Sequence, residues 1–324
     1  MAERKNSEFE LIARHFMRPA ANAVLGVGDD CALLNVTNGM DLAVSTDTMV
    51  SGTHFFPEVD AEHLGHKSLA VNLSDIAAMG AMPYWATLAL TLEKVDDAWL
   101  AAFAKGFFDL ADEFNVSLVG GDTTRGPLSL TVTIMGEVPA GAALRRNGAK
   151  AGNDIWVSGH LGDAALAVAH RYGRLKLDQA DYEEAVMRLY EPVPRVQLGQ
   201  ALRGLATAAI DISDGLLADL GHICRLSSVG ATVELERIPV SPLAARHVQS
   251  DEGRTAIVAG GDDYELCFTA PPNSRESIAD LVDMLGIPLT RIGQVRRGKG
   301  VSLVGPDGKA MKVDGRGYDH FKAP

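Results

Sequence analysis

Apolar and polar positions alternate along the chain in two rhythms, one helical and one extended. Ser7 with Glu10 three residues later forms a capping box that opens a helix through Met17. Cys31–Val36 and Asp41–Thr46 read as strands joined by a Thr37-Asn38-Gly39 turn. Asp60 begins a helix to about Met79, ended by Gly80 and Pro83. Tyr84–Leu92 reads as a strand, Asp96–Asn115 as an amphipathic helix, and Val116–Val119 and Leu128–Val138 as strands. Residues 139–153 carry Pro and several Gly without periodicity and read as an inter-domain connection. Beyond it strands are expected at Asp154–Ser158, Thr207–Ile212, Ala231–Leu235 and Tyr264–Thr269. Helices are expected near 163–172, 178–190, 195–206, 216–227 and 274–285. The pattern predicts an α/β (α+β) protein of two domains, a strand-rich 1–138 and an α/β 154–324.

Length agrees, since 324 residues suit two domains that each bury a core. Charge then narrows the function. Thirty Lys+Arg against 42 Asp+Glu leave a net charge of -12, with no clustered basic patch, so no nucleic-acid partner is expected. Residues 1–150 carry 11 basic and 19 acidic side chains, so the excess is concentrated there. Cys31, Cys224 and Cys267 form no CxxC pair, which argues against a disulfide framework or a zinc ribbon. No apolar run approaches membrane-span length, and no signal-like segment opens the chain, so a cytoplasmic protein without a membrane partner is expected.

Asp residues recur beside Gly, Ser and Thr at what read as the ends of apolar strands: Gly26-Val-Gly-Asp-Asp30, Ser45-Thr-Asp-Thr48, Asn72-Leu-Ser-Asp75, Gly120-Gly-Asp-Thr-Thr124 and Asp211-Ile-Ser-Asp-Gly215. A sixth segment, Gly260-Gly-Asp-Asp-Tyr-Glu265, is alike. Mg²⁺ takes near-octahedral oxygen ligands from a few carboxylates, water and substrate phosphates, and Gly lets backbone approach a phosphate. Each Asp taken alone reads equally as an Asx turn or a helix cap, Asp214 before Gly215 especially. Asp75 fits that reading poorly, because it lies in the apolar stretch Leu69–Met82. Gly120-Gly121 and Gly260-Gly261 read as phosphate-approaching or simply tight turns. No P-loop, Rossmann fingerprint or protein-kinase signature is present. No good nucleophile stands out: His63 and His66 read as surface residues of a helix, Cys31 as a small core residue, and His54 as a ligand contact in a polar loop.

Those motifs, in that order and over essentially the whole chain, resemble the thiamine-monophosphate kinase family. The carrying segments are the six above together with Thr53-His-Phe55 after the Ser45 segment and Arg146-Asn-Gly-Ala-Lys150. Several are shared with the wider aminoimidazole ribonucleotide synthetase-like superfamily, and the complete set is more specific to the kinase. The resemblance implies an N-terminal ATP- and Mg²⁺-binding and dimerisation domain over 1–138, closing a barrel shared across a homodimer, and an α/β domain over 154–324. It implies ATP as co-substrate and thiamine monophosphate as acceptor. By motif position, Asp30, Ser45, Thr46, Asp47, Asp75, Asp122, Asp211 and Asp214 correspond to ligands of several Mg²⁺ ions. Gly121, Asp122, Arg146 and Ser213 correspond to ATP contacts, and His54, Asp262 and Tyr318 to substrate contacts, with no residue acting as general base. The family often carries Glu where this chain has Asp262. A sister ATP-dependent synthetase, a carboxylate-rich phosphohydrolase and a non-catalytic nucleotide-binding protein are the alternatives. The selenophosphate branch normally carries a reactive Cys in its N-terminal segment, and none precedes Cys31. The hydrogenase-maturation branch ends in Cys, where this chain ends His320-Phe-Lys-Ala-Pro324.

Overall fold

The computed structural model describes residues 8–312. The described residues divide into two compact units, one within residues 8–76 and 81–141, the other within 77–80 and 142–312. Tyr318 lies outside the described residues.

The first unit holds α1 (Glu8–His15), β1 (Met40–Val50), α2 (Ala61–Ala78), β2 (Met82–Leu92), α3 (Asp97–Glu113), β3 (Ser117–Arg125) and β4 (Ser129–Pro139). Its four strands form one sheet in the order β1-β4-β2-β3, antiparallel except for the parallel β2–β3 pair. One face of the sheet is apolar and buried, with Leu130, Val132 and Ile134 on β4 and Ala86, Leu88 and Leu90 opposite them on β2 at 5% exposure or less. The core continues through α2, buried along Leu69, Ala70, Leu73 and Ile76, and through Phe103 and Phe107 of α3. The two helices approach closely enough that a Cβ on Gly65 would stand 2.1 Å from the Phe103 carbonyl oxygen, and one on Gly106 1.9 Å from that of Glu62. Asp96 caps α3 through bonds from the Ala98 and Trp99 amides, the role that Asp plays most often at a helix start.

The hairpin expected before β1 does not form. Gly39 makes the turn in a left-handed conformation (φ 83°), but residues 31–36 run as a loop whose one ladder contact is an isolated bridge between Leu25 and Leu33. A segment with apolar residues needs a paired neighbour to become a strand, and β1 pairs with β4 alone. Cys31 is accordingly exposed rather than in the core. His63 and His66 are half-buried rather than exposed, because α2 is enclosed on nearly all sides.

The second unit holds β5 (Asp154–Ser158), α4 (Asp163–Arg171), α5 (Gln179–Tyr190), α6 (Val196–Ala201), β6 (Ala208–Asp211), α7 (Leu216–Leu226), β7 (Gly230–Glu234), α8 (Pro242–Ala245), α9 (Asp251–Ala259), β8 (Leu266–Ala270), α10 (Arg275–Leu285), β9 (Leu289–Arg296), β10 (Gly300–Val304) and β11 (Ala310–Met311). Seven strands form a mixed sheet in the order β11-β10-β7-β9-β5-β8-β6. Strand β8, between β5 and β6, is buried at every residue, Thr269 included, as its mostly apolar run suggests. Strands β9 to β11 and helices α8 and α9 were not anticipated from the periodicity. The α/β class of both units matches the expectation.

Candidate active site

In the first unit the acidic motifs do not stand at strand ends. Asp47 lies within β1, Asp122 within β3, Asp75 on α2 and Asp30 in an exposed loop, where its amide bonds the Asp29 side chain at 2.9 Å. Side chains alternate across a strand, so Ser45 and Asp47 share a face while Thr46 takes the other. Ser45 pairs in register with Ile134 and Asp47 with Val132, both buried, which places the two on the inner side of the sheet. There Ser45 Oγ donates to Asp75 Oδ2 at 2.5 Å. The Asp47 amide donates to Asn72 Oδ1 at 3.2 Å, and Asn72 Nδ2 is tied to the Ser68 carbonyl at 3.0 Å. Asn72 and Asp75, three apart on one helix, thus meet Ser45 and Asp47, two apart on one strand. Asn72 is 1% exposed, so its amide satisfies an amide of an edge strand that no neighbouring strand can pair.

Thr46 and Asp122 do not join this group. Thr46 Oγ1 meets Thr133 Oγ1 at 2.9 Å on the outer face. Asp122 pairs in register with Ala89, and Ala89 with Thr131, whose hydroxyl meets Thr48. Asp122 is therefore on the outer face too, and on the opposite edge strand. The Gly120-Gly121 pair is part of β3, not a turn. A bulge in the β2–β3 pairing sets Gly121 against Leu88, where a Cβ would stand 1.9 Å from the Leu88 carbonyl oxygen. Close backbone approach explains this glycine. His54 sits in the loop after β1, half-buried, and its Nδ1 accepts the Val50 amide at 3.0 Å. That bond leaves Nε2 as the ring's proton-bearing nitrogen in the neutral form.

In the second unit Asp211 is the one candidate that does end a strand, and it is buried at 4% exposure. The turn after it is held by a residue that sequence reading missed. Asp219, on the first turn of α7 and 3% exposed, accepts the amides of Ser213 and Asp214 at 3.1 Å each through Oδ2. Asp214 is not the helix cap; Gly215 occupies that position at φ 111°. An acidic residue one turn into the helix after a Ser-Asp-Gly is the signal that could have found Asp219. Its burial, and then the charge of Asp214, push the Asp219 carboxyl up to about 7, against the two backbone bonds and the charge of Arg146. The Arg146 charge also helps hold His222 below its ordinary value, after burial and Arg225, so Arg146 stands by this turn with its side chain exposed.

Across from that turn runs Gly260–Glu265. Asp262 donates its amide to the Ser213 carbonyl at 2.9 Å, Tyr264 to that of Ile212 at 2.8 Å, and Ile212 to that of Glu265 at 2.8 Å. A Cβ on Gly261 would stand 2.2 Å from the Ser213 oxygen. Ser213 and Asp262, expected as ATP and substrate contacts, are therefore neighbours through the backbone.

The raised Asp219 carboxyl makes stability depend on pH. An Asp ordinarily titrates near 3.8. Between that value and about 7 the folded chain holds a proton that the unfolded chain releases, so stability falls as pH rises through this window and levels off above it. The slope from one such group approaches about 1.4 kcal/mol per pH unit. Unfolding of the wild type and Asp219→Asn in chelator at several pH values checks this: their stability difference should change between pH 4 and 7. A constant difference would show that Asp219 does not titrate there.

The sequence likeness now settles the family. Residues 28–138 match the model for the AIR synthase related protein N-terminal domain, and residues 123–305 that for its C-terminal domain. The thiamine-monophosphate kinase of Escherichia coli K12 is 48% identical over 322 residues, covering 98% of this chain and 99% of that one. The chain belongs to the thiamine-monophosphate kinase family. The crystal structure of the kinase from Stenotrophomonas maltophilia K279a aligns with a TM-score of 0.84 at 49% identity, covering 94% of this chain and 96% of that one. The structure of AaThiL complexed with AMPPCP and TMP aligns with a TM-score of 0.77 at 27% identity, covering 99% of each chain. Membership confirms the mixed α/β fold of two family domains.

Mg²⁺ can be tested against the donor set. Among the described residues no group of three His, Cys, Asp or Glu side chains is gathered in the manner of a preformed metal cage. Mg²⁺ is usually held by one or two carboxylates with water and substrate phosphates, which needs no such cage. Ser45, Asp47 and Asp75 offer hard oxygen donors on one face, and they fit that kind of site. Among the described residues no helix is long and apolar enough to cross a membrane.

Proposed function

We propose that the protein transfers the γ-phosphoryl group of ATP directly, in line, to the phosphate of thiamine monophosphate, giving thiamine diphosphate and ADP. The observation that carries this is full-length 48% identity to a thiamine-monophosphate kinase. A relative of the same fold complexed with AMPPCP and TMP supports it. The acceptor is a phosphate monoester, mostly dianionic near pH 7 because its second pKa is about 6. The nucleophile thus comes already deprotonated, so the reaction needs no general base. The obstacle is repulsion between two polyanions.

In this reading Asp47 and Asp75, with Ser45 between them, would hold one Mg²⁺ on the inner face of the first unit, and Asp30, Thr46 and Asp122 would serve other Mg²⁺ ions. Asp211 and Asp214 would do so on the second unit. Bound Mg²⁺ supplies the positive charge that lets the two phosphates approach. Gly121, Asp122, Arg146 and Ser213 would bind ATP, Arg146 through its fixed guanidinium fork. His54, Asp262 and Tyr318 would hold the acceptor, His54 offering its Nε2 hydrogen. The domain roles follow: residues 1–138 for ATP, Mg²⁺ and dimerisation, 139–153 as connection, 154–324 as the α/β domain.

A homodimer with a shared barrel is part of the proposal. The outer face of β1 leaves Met40, Leu42, Val44 and Val50 at 36–56% exposure on an edge strand that is paired on one side, by β4. Such an edge is a pairing template unless covered, and a second copy would cover it.

One assay tests the function: purified protein with ATP, Mg²⁺ and thiamine monophosphate, following ADP, inorganic phosphate and thiamine diphosphate together. Thiamine diphosphate and ADP should rise in equal amounts without free phosphate. Phosphate without thiamine diphosphate would indicate a hydrolase, and no turnover would leave a nucleotide binder. Elution as monomer only would count against the shared barrel.

A further inference from the structure

The substrate-facing turn in the second unit is strained, and one side chain explains how it is held. Asp262 has φ 68° and Tyr264 φ 50°. Left-handed backbone is uncommon outside Gly, least favourable for bulky residues, and costs enough to persist only where surrounding structure over-determines it. Between these two residues stands Asp263. Its Oδ1 accepts the Gly162 amide at 2.8 Å, and its Oδ2 is buried without a hydrogen-bond partner. Gly162 is itself left-handed at φ 97°, and a Cβ there would stand 2.9 Å from the backbone of Ile257 on α9. The Asp263 carboxyl thus reaches the junction at the start of α4, with half-buried Asp262 and Tyr264 on either side of it. The Tyr264 hydroxyl then donates to Asp262 Oδ1 at 3.4 Å.

Burying a carboxyl with half of its hydrogen-bonding capacity unused is costly, and each such group calls for an explanation. Burial drives the Asp263 carboxyl well above the ordinary carboxylate range, with Glu265, Asp163 and Asp262 adding to the effect. A neutral group there needs no counter-charge, and a neutral amide could make the same bond.

We propose that Asp263 is a positioning residue for substrate: its bond to the Gly162 amide keeps residues 262–264 in their strained conformation and so fixes where the Asp262 carboxylate points. The inference rests on the proposed role of Asp262 in holding thiamine monophosphate.

Three variants test it. Asp263→Asn keeps an oxygen that can accept the Gly162 amide. Asp263→Ser cannot reach, yet remains small and polar, and Asp263→Ala removes the acceptor outright. A misplacement of about 1 Å can cost up to a hundred-fold. The KM for thiamine monophosphate should therefore rise about ten- to a hundred-fold in the Ser and Ala variants. The KM for ATP should stay within about three-fold, a bound set by the same geometric argument. Asp263→Asn should restore the substrate KM. A merely structural role would move both KM values together or neither. Amide exchange across residues 260–265, measured without substrate, should speed up in the Ser variant and not in the Asn variant. Failure of exchange to respond overturns the positioning role. Faster exchange in the Ser variant with no effect on the thiamine monophosphate KM instead overturns the reading of Asp262 as a substrate contact. An Asn variant as impaired as Ser also overturns the proposal. Should Ala not fold, the Ser and Asn pair decides alone.

Discussion

Asp75→Asn should lower turnover at saturating ATP and thiamine monophosphate by at least about a hundred-fold, with little change in unfolding midpoint. Asp75 is half-buried on α2, and its Oδ2 accepts the Ser45 hydroxyl at 2.5 Å. An Asn can keep that bond through its amide oxygen, so the helix and edge strand remain joined. What it removes is the negative charge that would hold Mg²⁺ beside the transferring phosphates. Losing even an outer-shell partner of a metal ligand typically costs ten- to a hundred-fold, and a direct ligand should cost at least the upper end of that range. Asp47→Asn, on the same inner face, should behave alike. Raising Mg²⁺ should recover part of the lost rate if affinity is what fell. Turnover within a few-fold of wild type in a variant of normal stability would remove Asp75 from the metal set.

These two residues also show why the sequence was only partly legible. The identity of the functional segments could be read, because Asp beside Ser, Thr and Gly in a fixed order is a linear pattern. Their setting could not. Asp47 and Asp122 both look like strand-end residues, yet both lie within strands, on opposite faces and opposite edges of one sheet. Facing depends on register, and the bulge that shifts β3 against β2 at Val119 leaves no local mark beyond the glycine pair that follows it. Residues 31–36 misled for a related reason. Their apolar content suits a strand, but strand formation depends on a partner elsewhere in the chain. Long helices were easier. Helix α3 announces itself through Asp96 and its own periodicity, both of which are local. Asp219 was missed because it acts from inside a helix on a turn five residues earlier, and its one sequence mark is its place a turn after Ser-Asp-Gly.

Gly260–Glu265 carries the same point further. The six residues read as one acidic segment, but their carboxyls do three different things. Asp262 is presented on the strained turn, Asp263 is turned inward to Gly162, and Glu265 is a fastener of the fold. The Glu265 carboxylate, 8% exposed, accepts Arg195 Nε at 2.7 Å and Ser158 Oγ at 2.5 Å through Oε2, and Arg195 Nη2 through Oε1. Ser158 Oγ in turn accepts the Leu266 amide at 2.9 Å. The carboxylate lies so close to the backbone that a Cβ on Gly159 would stand 1.9 Å from Oε1.

This arrangement yields the largest expected effect on stability. Arg195 is 18% exposed at its side chain and binds both oxygens, so Arg195→Leu strands a buried carboxylate with one hydroxyl for company. Breaking such a pair from one side typically costs about 3–5 kcal/mol, because the remaining charge has lost its compensation. Glu265→Leu should cost a similar amount, stranding the guanidinium and leaving Ser158 without its acceptor. The double variant, Leu at both positions, should be considerably less destabilised than the two single costs together, since no buried charge is left over. Denaturant unfolding of the four proteins gives the coupling directly. Simple additivity would mean that the pair is solvated enough to behave as a surface ion pair, worth only about 0–1 kcal/mol. The same comparison separates fold from site: each single variant, where still folded in the cold, should keep its Mg²⁺ dependence. Asp75→Asn should instead lose turnover and need more Mg²⁺ while remaining as stable as the wild type.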